Sequence, residues 1–202
     1  MNELLVHVVD DDAAVRDSIA FLLDTSGLAS RTYESATALL ARADSLEPGC
    51  IVTDVRMPDV SGLDMVRRLK TAGVALPVIV ITGHADVPLA IEAMHAGVAD
   101  FIEKPFDDEV LLGAVRAALA KGAEVRDQAA QIRDVLDRME ALSARERQVL
   151  DGLVAGHANK VIAFDLDISP RTVEVYRANV MTKMQARSLS ELVRMSLVTR
   201  RG

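Results

Sequence analysis

Four short apolar runs each stop at a residue that carries chemistry. Leu4 to Val9 stops at Asp10-Asp11-Asp12, Cys50 to Thr53 at Asp54, Pro77 to Ile81 at Thr82-Gly83-His84, and Asp100 to Glu103 at Lys104-Pro105. Runs this short and rich in β-branched residues fit strands buried on both faces, as in a parallel sheet. Parallel strands of an open α/β sheet end at one edge, which is where such sheets place their ligands. The four runs therefore predict carboxylates, a hydroxyl and an ammonium gathered around Asp54.

Between the runs the periodicity is helical. Ala13 to Thr25 carries Val15, Ile19, Leu22 and Leu23, with Gly27 as a stop, and Leu28 to Tyr33 reads as a further strand. Ser35 is a predicted N-cap for a helix over Ala36 to Ala43. Ser61 to Ala72 places Leu63, Val66 and Leu69 on one face, and Asp86 to Ala96 is a helix closed by Gly97. The fifth helix starts near Asp107, with Val110, Leu111, Val115 and Leu119 expected toward the sheet and Lys121-Gly122 as its expected end. Strand and helix alternate five times, so the fold class is α/β, a doubly wound five-stranded parallel sheet.

Ala123 to Ala141 resumes with good helix formers, either a helical linker or an ordinary solvated helix. Beyond it the chain changes character. Ser143 and Glu146 form a capping box, and Asn159 to Leu166, the turn Asp167-Ile168 and a helix capped by Ser169 with Pro170 first read as helix, turn, helix. Ser190 to Val198 closes this all-α part as a short amphipathic helix. Charge divides the chain in the same way. Up to Glu140 there are 13 Lys+Arg against 24 Asp+Glu, and from Ala141 onward 10 against 6, a balance of −11 followed by +4. Only the second part suits a polyanion.

Cys50, the one cysteine, lies in an apolar run and reads as a small buried hydrophobe. His7, His84, His95 and His157 lack metal-site spacing and are taken as ordinary histidines. No apolar run approaches the ~18 residues of a membrane span, and the N-terminus has no basic leader, so the expected location is the cytoplasm.

Asp10, Asp11 and Asp12 would repel one another and Asp54, and a hard cation such as magnesium is the natural reason to gather them. A carboxylate beside such an ion can attack a phosphoryl group, with Thr82 and Lys104 meeting the phosphoryl oxygens. Acids that merely solvate loop ends would account for any one of these residues, but not for all four strand ends together.

Val8-Val9-Asp10-Asp11, Asp54 with Met57-Pro58 and Ser61-Gly62, Thr82-Gly83, and Lys104-Pro105-Phe106 resemble the receiver domain of two-component response regulators. The resemblance implies a flavodoxin-like receiver over residues 1–122, a linker over 123–140 and a DNA-binding domain over 141–202. It makes Asp54 the phosphoacceptor and Asp11, supported by Asp10, the ligand of Mg2+ or Mn2+, together with Asp54 and the Arg56 carbonyl. Thr82 and Lys104 become phosphoryl contacts, and Thr82 and Phe101 the switch. Asp12 is an extra acid, read as a helix N-cap. Aiming Lys104 into the site asks for a cis Lys104-Pro105 bond.

The second part is similar to the LuxR-type helix-turn-helix of the NarL/FixJ regulators. Leu142-Ser143-Ala144-Arg145-Glu146, Asn159-Lys160, Ile162-Ala163, Ile168-Ser169-Pro170-Arg171-Thr172-Val173 and Lys183-Met184 carry that resemblance. Val161 stands where the family often has an acid, and Asp167 where the turn often has glycine. Val173, Val180 and Met184 mark the buried stripe of the recognition helix. Glu174, Val175 and Ala178 are expected at base edges, and Lys160, Arg171, Thr172, Tyr176 and Lys183 at phosphates.

The expected function is a phosphorylation-controlled DNA-binding response regulator that activates transcription, with nitrogen-fixation or micro-oxic genes as targets. Its implied partners are a sensor histidine kinase, promoter DNA, RNA polymerase and, when phosphorylated, a second copy of itself. Pairing is expected through Val87, Ile91 and His95, since Ala90, Ala93, Met94 and Gly97 are needed against the sheet. A phosphatase using Asp54 would need an acid two residues later, where Arg56 stands, so at most slow self-hydrolysis is expected. A module gripping RNA or protein would bind without DNA-sequence preference.

Overall fold

Each apolar run becomes a strand of one sheet, in a computed structural model that describes residues 4–83 and 86–199. His84 and the three N-terminal residues lie outside the described residues. β1 (Leu5–Val9), β2 (Ser30–Tyr33), β3 (Gly49–Asp54), β4 (Val78–Thr82) and β5 (Asp100–Glu103) are all parallel, in the order β2-β1-β3-β4-β5. Helices α1 (Ala13–Thr25), α2 (Ala36–Leu40), α3 (Gly62–Thr71) and α4 (Val87–Ala96) make the crossovers, and α5 (Asp108–Glu140) follows β5. The predicted doubly wound sheet is the fold observed.

Burial on both faces explains the unbroken apolar runs. Val9, Ile51 and Val80 point into one core with α2, α3 and α4 residues, while Val6, Val8, Val52 and Ile79 point into another with α1 and α5 residues. Asp12, Ser35, Ser61 and Asp86 cap α1 to α4 with side-chain oxygens that accept backbone N–H bonds, each satisfying groups the helix itself leaves open.

Several expectations need correction. α2 ends at Leu40, three residues short, and a 3₁₀ turn over Ala43–Ser45 brings the chain back to β3. Val110 is 51 % exposed, because Leu111, Leu112, Val115 and Leu119 already fill the inner stripe of α5. Met94 is 55 % exposed for the same reason on α4, where Ala93 and Ala96 take the buried side. α5 does not stop at Gly122. A Cβ there would come within 3.2 Å of the Pro77 ring, so this glycine answers to a close approach instead of a helix end. Glu124 to Gln131 of the same helix are all exposed.

The chain divides into two compact units, 1–125 and 126–202. The second has its own core. α6 (Ala144–Val154), α7 (Asn159–Asp165), α8 (Pro170–Lys183) and α9 (Leu189–Thr199) contribute Leu150, Ile162, Val173, Val180 and Leu192 to it, and Leu142 joins from the loop before α6. The predicted capping box is present, with Glu146 accepting from the Ser143 N–H at 2.7 Å. Asp167 turns the chain between α7 and α8 at φ 53°, the left-handed region that Asp tolerates better than most residues.

One buried titratable group stands out. His7 in β1 shares a 3.1 Å hydrogen bond between Nδ1 and the Tyr33 hydroxyl, and its Nε2 lies 3.0 Å from the Glu47 carbonyl. Burial lowers its pKa below 6.5, against the Glu47 carbonyl and charge, with Arg31 and Arg42 adding to the depression. A histidine depressed in the folded state stabilises above its unfolded pKa, and that stability is lost as pH falls through the folded value. The urea midpoint should therefore drop between about pH 7.5 and about pH 5.5, and drop less in His7→Gln. Equal slopes for the two proteins would show that His7 does not contribute.

Candidate functional site

Register does the gathering. Val9 lies beside Thr53, Asp54 beside Ile81 and Thr82 beside Glu103, so Asp10, Asp54, Thr82 and Lys104 emerge together at the carboxyl edge. Lys104 Nζ donates to Asp54 Oδ1 at 2.9 Å and lies 3.4 Å from Asp10 Oδ2. The Lys104-Pro105 bond is cis, and the Lys104 N–H donates to the Thr82 carbonyl at 2.7 Å. Thr82 is buried, Asp11 is exposed, and Phe101 is partly buried against the α4-side core.

Both carboxylates are held by backbone as well. Asp54 Oδ2 accepts the Arg56 N–H at 2.6 Å, and Asp10 Oδ1 accepts the Asp12 N–H at 2.9 Å. Burial pushes the Asp10 pKa up, further raised by the charge of Asp54, while the Asp12 N–H and Lys104 pull the other way without cancelling the rise. Lys104 is desolvated too, yet its hydrogen bond to Asp54 and both negative charges leave its pKa raised. The ammonium thus stays charged and neutralises two acids that would otherwise repel.

The loop after Asp54 is pinned from outside. Asp59 Oδ2 accepts from the Thr37 hydroxyl at 2.5 Å and the Thr37 N–H at 2.9 Å, and the hydroxyl bond foremost holds its carboxyl down to about 2. Neither residue stood out in the sequence, since 22 positions separate them. Gly62 is the other positioning element, because a Cβ there would sit 2.2 Å from the Asp54 carbonyl oxygen. Gly62→Ala is expected to destabilise by about 1–3 kcal/mol through forced backbone shifts, read as a lower urea midpoint. An unchanged midpoint would show that the approach relaxes freely.

Among the described residues, no three or more His, Cys, Asp or Glu side chains form a ready metal cluster. The donor chemistry nevertheless suits magnesium, a hard ion content with one or two carboxylates completed by water and phosphate oxygens. Asp10 and Asp54 supply those hard oxygens side by side. Asp12 is committed elsewhere, accepting from Ala14 and Val15 as the α1 cap.

On α4, Val87, Ile91 and Met94 are 71, 50 and 55 % exposed, and His95 is exposed beside them. Met94 thus joins the outward face that the sequence assigned to Val87, Ile91 and His95.

In the second unit α8 buries Val173 and Val180, with Met184 buried just past its end, and exposes Arg171, Glu174, Val175 and Ala178. Lys160 on α7 is exposed, whereas Thr172 and Tyr176 are half-buried. Lys183, expected at a phosphate, has its Nζ on Glu146 Oε2 at 2.7 Å and the Ala141 carbonyl at 3.3 Å. That lysine joins α8 to the capping box, and its hydrogen bond is the main reason the Glu146 carboxyl titrates low. Nothing local in the sequence signals a partner 37 residues away.

Comparison with known proteins adds two family matches, a response regulator receiver domain over residues 6–116 and the luxR family of bacterial regulatory proteins over residues 140–196. The transcriptional regulatory protein FixJ of Azorhizobium caulinodans is 60 % identical over 195 residues, 96 % of this chain and 92 % of that one. FixJ of Rhizobium meliloti is 53 % identical over 98 % of this chain and 97 % of its own. Among solved structures, the response regulator StyR aligns at TM-score 0.86 with 35 % identity, covering 96 % of this chain and 98 % of that one. Full-length FixJ from B. japonicum aligns at TM-score 0.61 with 47 % identity over the whole of both chains.

Proposed function

Because the chain belongs to the two-component response regulators of the FixJ type, which join a receiver to a LuxR-type DNA-binding domain, we propose that phosphorylation of Asp54 controls how α8 reads promoter DNA. It is a DNA-binding regulator of transcription and not a classical enzyme. The observation that carries the reading is the 2.9 Å bond between Lys104 and Asp54, with Asp10 on the same ammonium.

In the proposed reaction an Asp54 carboxylate oxygen attacks the phosphorus of a phosphohistidine on a sensor kinase. The new O–P bond forms as the N–P bond breaks, and the electron pair returns to the kinase imidazole. Lys104, already poised on Asp54, shifts its charge to the phosphoryl oxygens, and the Thr82 hydroxyl follows them. Receiver domains generally bind Mg2+ at this place. Here Asp10, Asp11, Asp54 and the Arg56 carbonyl would hold it, or Mn2+, and when bound it neutralises the transferring oxygens. Water attack on the phosphoaspartate gives slow self-hydrolysis and resets the protein.

The output follows from the same edge. Thr82 ends β4 shortly before α4, and Phe101 packs on the α4 side, so movement of these two residues reaches the face of Val87, Ile91, Met94 and His95. That face pairs with a second copy once Asp54 is phosphorylated. Paired DNA-binding units hold each other at high effective concentration on two half-sites. Arg171, Thr172, Tyr176 and Lys160 then meet phosphates, Glu174, Val175 and Ala178 meet base edges, and RNA polymerase is recruited. No helix among the described residues is long and apolar enough to cross a membrane, as suits a regulator working on DNA in the cytoplasm. Residues 1–122, 123–140 and 141–202 serve as receiver, linker and DNA-binding domain.

The deciding experiment treats the protein with a small-molecule phosphodonor and selects bound fragments from genomic DNA. Enrichment of a few promoters, nitrogen-fixation promoters among them, is expected only after phosphorylation. Binding that is equal before and after, or indifferent to sequence, would defeat the reading.

A further inference from the structure

Three arginines at the free edge of the sheet take no part in the phosphorylation chemistry. β2 is the last strand in the sheet order and pairs with β1 alone, so its outer side offers backbone groups to no other strand. A shallow cavity of about 460 Å³ lies along this edge, lined among others by Arg16, Arg31, Arg42, Tyr33 and Glu34. Three of the 13 basic residues in the first 140 meet there, within a part of the chain that carries 24 acids.

Two of the three charges have no carboxylate partner among the described residues. Arg31 is paired with Glu47 at 2.5 and 2.6 Å. Arg16 donates to the backbone carbonyl of Asp10 at 2.6 Å, a bond that leaves its positive charge uncompensated. Arg42 makes no ion pair among the described residues, and its hydrogen bonds run through its backbone. Glu34 is the one acid lining the cavity. Like charges gathered at an edge repel unless an anion sits between them.

We propose that this cavity binds a small polyanion with adjacent phosphoryl groups, a diphosphate, held by Arg16, Arg42 and the outer side of Arg31. Guanidinium forks match phosphate oxygens in pairs, and several forks around one cavity of ligand size suit two linked oxyanions better than one. Tyr33 is only 6 % exposed, so no aromatic face is open for stacking a base. The recognised feature is therefore the diphosphate itself, whether inorganic or carried by a nucleotide. Arg16 reaches both the cavity and the backbone carbonyl of Asp10, which places the ligand next to a residue of the acidic site.

The test is calorimetric titration of the full chain with inorganic pyrophosphate in magnesium-free buffer, followed by ADP and by sulfate at matched ionic strength. Saturable one-to-one binding of pyrophosphate is expected, weakened about tenfold or more by Arg42→Gln and unchanged by Lys121→Gln. ADP binding as tightly as pyrophosphate identifies nucleotides as a source, and failure of ADP restricts the ligand to the inorganic ion. Both results support the site. As a second measurement that needs no variant, the His7 ring resonances should titrate at higher pH with pyrophosphate bound, since the anion offsets the Arg31 and Arg42 charges that help depress His7, the residue beside Arg31 in register. Non-saturable heat, equal binding of sulfate, or undiminished affinity in Arg42→Gln would overturn the proposal.

Discussion

Asp54→Asn is expected to abolish phosphorylation by a small-molecule phosphodonor while leaving the urea midpoint equal or higher. The amide has nearly the shape of the carboxylate, so packing at the end of β3 is preserved. Losing one negative charge beside Asp10 removes a repulsion, although Lys104 gives up its 2.9 Å charged bond. The chemical loss is complete, because an amide oxygen is a poor nucleophile and the phosphoryl group then has no acceptor. Phosphate incorporation followed by mass spectrometry reads the result. Asp10 and Asp11 serve as the internal alternatives, and a phosphorylated Asp54→Asn chain would show that the acceptor is one of them. Lower stability in the variant would instead show that the Lys104 bond outweighs the relieved repulsion.

Ile91→Asp is expected to prevent pairing of the phosphorylated protein. Single exposed apolar side chains are common on protein surfaces and carry no message. Here Val87, Ile91 and Met94 form one exposed face, and Ile91 sits between the other two. A charge placed at the centre of an interface costs about 2 kcal/mol or more, and a two-fold interface contains it twice. Dimer dissociation should rise about a thousandfold by sedimentation, with DNA binding falling back to the unphosphorylated level. Phosphorylation itself should proceed at the wild-type rate, which separates this variant from a damaged acidic site. If the phosphorylated variant still pairs and binds DNA normally, the α4 face is not where two copies meet.

Much of the acidic site was legible because strand ends in a parallel sheet have only one place to go. Asp10, Asp54, Thr82 and Lys104 needed no tertiary knowledge beyond that rule, and the helix caps Asp12, Ser35 and Ser143 followed from local chemistry alone. What escaped depended on distance or on competition within a helix. Met94 and Val110 are as apolar as their neighbours, and only the tally of inner positions already filled sends them outward. Lys183 reads as a free cation until α6 brings Glu146 against it. The clamp of Asp59 on Thr37 and the meeting of Arg16, Arg31 and Arg42 are set by crossover geometry, for which no short motif exists. Gly122 was misread for a related reason: a glycine that admits the Pro77 ring just before β4 has the same letter as one that ends a helix.

The exposed stretch Glu124 to Gln131 has a consequence for inheritance. Neither core draws a buried residue from it, the last on one side being Leu119 and the first on the other Leu142. Apart from Val125, Gln128 and Gln131, which line cavities, side chains there face solvent, so the stretch should drift faster between descendants than the segments on either side. A gene can be cut and rejoined within it without disturbing the residues that fold either unit, which makes this short span a natural seam for exchanging one sensing unit for another over generations.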